Sequence, residues 1–585
     1  MKKIISIIQI VLILGCVLLP ATSCSDFLTK EPPATGFGYT MENKSGVESL
    51  LTGAYALLRG TGDFGGAMGT DWTYGSGASD DTYKGTDAGD QTNFNYVERY
   101  EALPTNAYMS DRWRDCYMGV ARTNLVLKFL KATQAGSDPI EAGRATVIEA
   151  ETKYLRAWYH FSANRVFEKI PYIMTTDEMG GKEEGEIPNT DAGWSGIETD
   201  LKYAINNLPE SFSSEPGRVT KFAAMTLLAQ VYMYQSKFSE AKPLLDQVLN
   251  SGKYALVANY NDNYDEDTEN NSESIFEIQC ATSPVNNTSM LIAGRVFIQP
   301  TGPAGFGWGF HQPSQCLVDA FQVDNNGLPY LDINTRPTFK NDMGVAPNDP
   351  FTPSDEPVDP RLDWTVARRG IDYNGWGIFP GRSWIRDQGN GGPYMTKKYL
   401  HFERNRNNQN GNGFSNSRNY RYHRLAHVIL WRAEVAIEDG ELEMARELVN
   451  QIRNRAKNTQ VVMGLCTDLS IPSTGIAANV DWTKPAANYK AEPYPAGHDA
   501  FSSKEKARVA VRHEIRLEFA TEGQRFFDLR RWDIDEEVLP DYIRRDSEFR
   551  SFMRGAVYTK AKRYWPIPQS QMDLQRGVLT QNPNY

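Results

Sequence analysis

Cys24 is the residue whose surroundings promise the most definite chemistry. Lys2 and Lys3 open the chain, an apolar run fills residues 4–19, and Pro20-Ala21-Thr22-Ser23 leads straight into the cysteine. This order marks a secretory leader rather than a membrane span, because the run is short and a small residue precedes the thiol at once. It is the bacterial lipoprotein arrangement, in which the Cys24 thiol takes a diacylglyceryl group, cleavage falls before it and the freed amine is acylated. Three acyl chains hold a protein on a membrane far better than one. Cys16 is a poorer acceptor, since the apolar run continues past it.

The second chemical signal is a set of aromatic side chains in stretches too rich in Gly, Pro and Asn for a helical core. Residues 61–90 carry Trp72, Tyr74, Asp80, Asp81 and Tyr83. Residues 302–310 add Trp308 and Phe310, and residues 370–392 add Tyr373, Trp376 and Trp384. Irregular segments of this length in a compact protein are functional or disordered, and their aromatic content favours function.

No specific catalytic signature accompanies them. Gly193-Trp194-Ser195-Gly196 lacks the spacing of a nucleophile elbow, and His513-Glu514 has no second histidine to complete a zinc site. Gly305-Phe306-Gly307-Trp308-Gly309 lacks the length and following lysine of a phosphate loop. The acidic residues of 262–269 offer oxygen ligands of the kind calcium takes, but lack the spacing of a calcium hand, so a solvated loop is expected and no cofactor is predicted. Glycosidase carboxylates are paired by folding rather than by spacing, and no residue is assigned a catalytic role.

The chain has 585 residues, 40% hydrophobic and 23% charged, enough to bury a core. Losing the leader, with its two lysines and no acid, takes the net charge from −11 to −13. That balance argues against a nucleic-acid partner, which clustered Lys and Arg would serve. Cys116, Cys280, Cys316 and Cys466 are too few and too scattered for a disulfide scaffold or a metal site, so free thiols or at most one or two bridges are expected.

Helices must position these groups. Behind a tether at residues 25–39, Val47, Leu50, Leu51, Ala54, Leu57 and Leu58 recur at spacings of three and four. Residues 112–167 read as at least two helices, ending before Pro171. Residues 220–251 read as a helical pair turning at Ser236-Lys237, and residues 425–456 as another turning at Asp439-Gly440. Such pairs are similar to tetratricopeptide hairpins, although long insertions keep them from forming a tandem array. In residues 512–532 and just before them, Glu514, Glu518 and Glu522 make one helical stripe and Arg508, Arg512 and Arg516 another. Like charges so spaced repel, so each stripe should meet opposite charges on neighbouring elements; the competing reading is an anion site.

Several motifs together resemble the SusD/RagB family of nutrient-binding outer-membrane lipoproteins of Bacteroidetes. They are Cys24-Ser25-Asp26-Phe27-Leu28, Arg156-Ala157-Trp158-Tyr159, Gly217-Arg218-Val219-Thr220-Lys221, Asp359-Pro360-Arg361 and Asn450-Gln451-Ile452-Arg453-Asn454-Arg455-Ala456. Further along come Arg516-Leu517-Glu518, Phe527-Asp528-Leu529-Arg530-Arg531-Trp532, Trp565-Pro566-Ile567-Pro568 and the final Gln581-Asn582-Pro583-Asn584-Tyr585. The departures, at Thr29, Gln524 and Asn584, are minor.

The resemblance implies a mostly α fold, with a tetratricopeptide-like helical-hairpin scaffold and long irregular loops forming a ligand face. It implies a leader at residues 1–23, a lipidated tether at 24–44 and one domain at 45–585, with a helical part to 280, a loop-rich part at 281–420 and a helical C-terminal part. It further implies a non-enzymatic binder of oligosaccharides, facing the medium, that delivers ligand to a SusC-like TonB-dependent barrel. Peptide binding is the alternative within the family, and a lipid-anchored glycoside hydrolase the alternative outside it. A sugar ring offers an apolar face and a hydroxyl rim, which flat aromatic rings and Asp, Asn or Arg would bind. At least two of the ten loop residues from Trp72 to Trp384 are therefore expected at the ligand face.

Overall fold

A computed structural model of the chain describes residues 41–62, 64–280, 307–408, 417–468, 470–477 and 479–585. The leader, Cys24 and most of the tether lie outside these residues. Among the described residues no helix is long and apolar enough to cross a membrane.

The helices of seven or more residues are α1 Lys44–Tyr55, α2 Thr92–Glu98, α3 Ala107–Ala135, α4 Ala142–Phe167, α5 Trp194–Asn207, α6 Lys221–Tyr234, α7 Phe238–Leu249, α8 Leu425–Asp439, α9 Leu442–Asn458, α10 Lys504–Glu518, α11 Arg525–Arg531 and α12 Asp535–Phe549. Local chemistry sets their limits. Asn43 opens α1 by accepting from the Gly46 amide at 3.0 Å, and Thr220 caps α6 at the Ala223 amide. Gly440, in the left-handed region at φ 83°, closes α8. Glu168, at φ 62°, ends α4 three residues before Pro171.

The apolar stripes pack successive helices against one another, α3 on α4, α4 on α5, α5 on α6 and α6 on α7. Helices α3 and α4 approach closely because Gly119 lies against the Tyr159 ring, where a Cβ would stand 2.3 Å from a ring carbon. The expected separation of the hairpins holds in sequence but not in space. Helix α7 packs on α8 across an insertion of more than 170 residues, with Lys242 pairing Asp439 at 2.5 Å and Arg432 pairing Asp246 at 2.7 Å. Helices α8, α9 and α10 complete the scaffold, so the structure is the mostly α, tetratricopeptide-like assembly of hairpins that the motifs implied.

The strands are short and pair two by two, all antiparallel: β1 Thr82–Gly85 with β3 Phe310–Pro313, β2 Ser274–Ile278 with β6 Tyr420–Arg424, β4 Val366–Ala367 with β5 Met395–Thr396, and β7 Met463–Cys466 with β8 Val480–Pro485. Strands β2 and β6 form the neck of the insertion, since β6 runs directly into α8. The four cysteines from Cys116 onward are free.

Candidate functional site

The aromatic residues named from the sequence are for the most part core residues. Trp72, Tyr74, Asp80, Asp81, Tyr83, Phe310, Tyr373 and Trp384 are all buried. The Trp72 ring meets Phe94 at 4.8 Å, and Phe64 meets Phe310 edge-on at 4.9 Å. Tyr74 donates to the Tyr108 carbonyl, and Tyr83 accepts from the Gln315 amide beneath the Arg550 guanidinium, 3.8 Å from the ring centre. Tyr373 donates to the Thr396 carbonyl and Trp384 to the Ser473 carbonyl. Asp80 pairs with Arg516 and Arg525, and Asp81 with Arg516.

Eight of the ten candidates are therefore packed in the core, away from the surface. Their glycines serve close approach rather than mobility. Gly75 touches the Gly523 backbone, Gly77 faces the Phe94 ring and Gly475 lies under Trp384. Trp308 and Trp376 are half-buried and remain candidates.

The charged motifs build a balanced ionic core. Glu518 pairs with Arg361 at 2.9 Å and with Arg424 and Arg455, while Glu514 meets Arg361 at 2.8 Å and Arg453 at 3.0 Å. Glu273 pairs with Arg424 and Arg455, Glu522 with Lys398 and Arg424, and Asp359 with Arg361. Five cations thus face five carboxylates. Burial raises the Glu518 carboxyl, but Arg455, Arg424 and Arg361 outweigh it and hold the group well below the usual range. Asp80 is likewise raised by burial yet held at about 2 by Arg516 and Arg525. Of the second stripe, Arg508 pairs with Glu438 and Arg512 lies over the Trp532 ring. Five of the six stripe residues are thus ion-paired, as their spacing suggested, and the sixth, Arg512, meets an aromatic ring.

Further half-buried aromatic rings lie on the insertion, over residues 362–408. Trp364 and Phe402 stand 6.5 Å apart, both half-buried, and Trp376 meets His401 edge-on at 5.3 Å. Each indole is held by its N–H, Trp364 by the Gln460 carbonyl at 2.7 Å and Trp376 by the His401 carbonyl at 3.0 Å. Lys397 lies 5.3 Å from the Trp364 ring and donates to the Asp363 carbonyl at 2.6 Å. Burial pushes its ammonium down to about 8 against the pull of Asp372 and Asp363. Arg404 covers the Phe402 ring at 4.3 Å. Sequence reasoning missed Trp364 and Phe402. Trp364 follows Asp359-Pro360-Arg361 by three residues and Phe402 sits among charges, so neither lies in a Gly-rich stretch.

A separate cavity of about 880 Å³ lies between α3, α4 and residues 174–184, lined by Leu125, Leu130, Lys131, Lys153 and Met174 among others. It has no aromatic lining and so no platform for a sugar ring.

Stacked helical hairpins, closed by an ionic core and carrying half-buried aromatic rings on an irregular insertion, define a tetratricopeptide-like scaffold protein. The chain belongs to the SusD family, whose sequence model matches residues 272–585. A second model, described as starch-binding and associating with the outer membrane, matches residues 26–233. A SusD-like protein of Formosa agariphila is 23% identical over 98% of both chains. A SusD superfamily protein from Bacteroides vulgatus superposes with a TM-score of 0.66 at 22% identity, over 93% of this chain and all of the other. A surface glycan-binding protein A from Bacteroides thetaiotaomicron, solved with laminarihexaose, gives 0.64 at 21% identity, over 92% and 99%. At these identities the structural likeness is one of fold.

Proposed function

We propose that the processed chain is a cell-surface glycan-binding lipoprotein. It is anchored in the outer membrane through Cys24 and delivers oligosaccharide or polysaccharide, chemically unchanged, to a SusC-like TonB-dependent barrel. The observation that carries the reading is the face of Trp364, Trp376 and Phe402, whose indoles are oriented in advance by backbone carbonyls. Rings so fixed lose little freedom on stacking against the C–H face of a sugar, and Asp372 and Arg404 beside them offer partners for the hydroxyl rim. The glycan named with one structural neighbour, and the laminarin-binding description of another, support the ligand class. The motif carboxylates are spent on ion pairs, which supports a binder over a hydrolase.

Binding through a few rings is modest, and crowding on a cell surface adds avidity. Electrophoresis through native gels containing soluble polysaccharides tests the reading. The wild type should be retarded by at least one glycan and release no reducing ends, and W364A and W376A should be retarded several-fold less. Released product, or binding to peptides with no retardation by any glycan, would overturn it.

A further inference from the structure

The β7–β8 ribbon carries a large aromatic side chain that stands more than half open to solvent. Trp482, on β8, is 56% exposed. Its six-membered ring rests on Gly464 of β7, where a Cβ would meet ring carbons at 2.8 and 2.9 Å. Gly464 stands at φ 104°, a conformation that side-chain-bearing residues rarely adopt, so the backbone both makes room for the indole and supports it. Strand alternation puts Val480, Trp482 and Lys484 on one face. Val480 packs with Ile378 and Cys466, which ties the ribbon to the body, while Trp482 stands beyond that contact.

The strand residues that flank Trp482 are polar and tied to one another. Asp481 accepts from the Thr483 amide at 3.0 Å and from its hydroxyl at 2.6 Å, and pairs with Lys484 at 3.2 Å. In the ribbon's connecting loop, the Ile378 amide donates to the Gly475 carbonyl at 2.9 Å. This bond joins the ribbon's loop to the segment that carries Trp376.

The geometry points to Trp482 as a second carbohydrate-stacking platform, taking a pyranose ring of the same chain that the Trp364 and Trp376 face holds. The inference rests on the glycan reading above. A protein partner needs on the order of 1,000 Å² of complementary surface. Here one indole shares its strand face with Lys484, and among the described residues of the ribbon the other large apolar side chain that is exposed is Ile476. A supported flat ring with one polar neighbour is instead the size of one sugar. Two platforms on one polymer make binding length-dependent, because the second contact forms at high effective concentration.

The test is retardation of the mature full-length chain in native gels containing laminarin, soluble starch, xyloglucan or galactomannan. For whichever glycan retards the wild type, W482A should weaken binding roughly five- to tenfold. W482F, which keeps a smaller ring, should retain most of it. Equal melting temperatures establish that the variants are folded, which the exposure of the site favours. Retardation that W376A weakens and W482A leaves intact overturns the inference while glycan binding stands. A wild type retarded by none of the four removes both readings.

Discussion

Arg361 and Glu518, 157 residues apart, meet at 2.9 Å with both side chains fully buried. The same carboxylate also receives Arg424 and Arg455, so a single group ties three segments together. Removing one partner of a buried ion pair costs about 3–5 kcal/mol, chiefly because the remaining charges stay buried without compensation. E518Q is therefore expected to lose at least that much in a denaturant-unfolding measurement. Any folded fraction should keep its glycan retardation, since Glu518 contributes to the core and not to the ligand face. Wild-type stability in E518Q would dismiss the ionic core as the support of the scaffold.

Gly119 and Gly53 make a matched pair of helical glycines with opposite expectations. A methyl at Gly119 would enter the Tyr159 ring between α3 and α4, whereas a methyl at Gly53 in α1 meets nothing within 4 Å. Overpacking costs about 1–3 kcal/mol, while Gly to Ala in an unobstructed helix gains about 0.5–1 kcal/mol. Thermal melts should place G119A below and G53A above the wild type.

The helices were legible because their apolar spacing and their stops are local properties. Asp439-Gly440 marked the α8–α9 turn, and Pro171 set the limit of α4. The stacking of α7 on α8 was not, since no local pattern says which hairpin a long insertion returns to. The loop aromatics misled for a physical reason. Glycine beside an aromatic ring serves an open loop around a ligand and a tight core equally well, and Gly75, Gly77 and Gly475 serve the core. Trp376 sits in the same kind of stretch yet is half-buried, its indole N–H donated to the His401 carbonyl. Trp384, eight residues on, is fully buried, its own N–H bonded to the Ser473 carbonyl.

His160 sets a pH dependence whose sign follows from its bonds. Its Nε2 accepts from the Ile173 amide at 3.0 Å, and its Nδ1, 2.9 Å from the Arg156 carbonyl, donates to it. The neutral ring fits both partners, and burial pushes its pKa down to about 3. The folded state thus refuses a proton that the unfolded chain accepts near 6.5. The contribution is complete above that value and is lost as pH falls toward 3, amounting to about 2 kcal/mol at pH 5. His311 and His401, pushed down to about 3 and 4 by burial, act in the same direction. Glu269 and Asp319, pushed up by burial to about 7 and 6, act in the opposite one. Comparing wild type with H160Q isolates the one site. Between pH 6 and 4 the unfolding free energy of H160Q should fall less steeply with acid, by up to about 1.4 kcal/mol per pH unit. Parallel curves would exclude His160 as a source of acid sensitivity.

The lipid proposal rests on Cys24 alone, and its test is equally narrow. Acyl chains at that residue are what would hold a chain of net charge −13 on an anionic membrane surface. C24A should therefore abolish incorporation of labelled palmitate and shift the protein from the membrane to the soluble fraction of fractionated cells. C16A should do neither, because the apolar run continues past that position. Protease added to intact cells separates the faces of the membrane. Wild-type protein should be cleaved from outside, whereas protection from protease with palmitate still attached would place the anchor on the periplasmic side and remove capture from the medium.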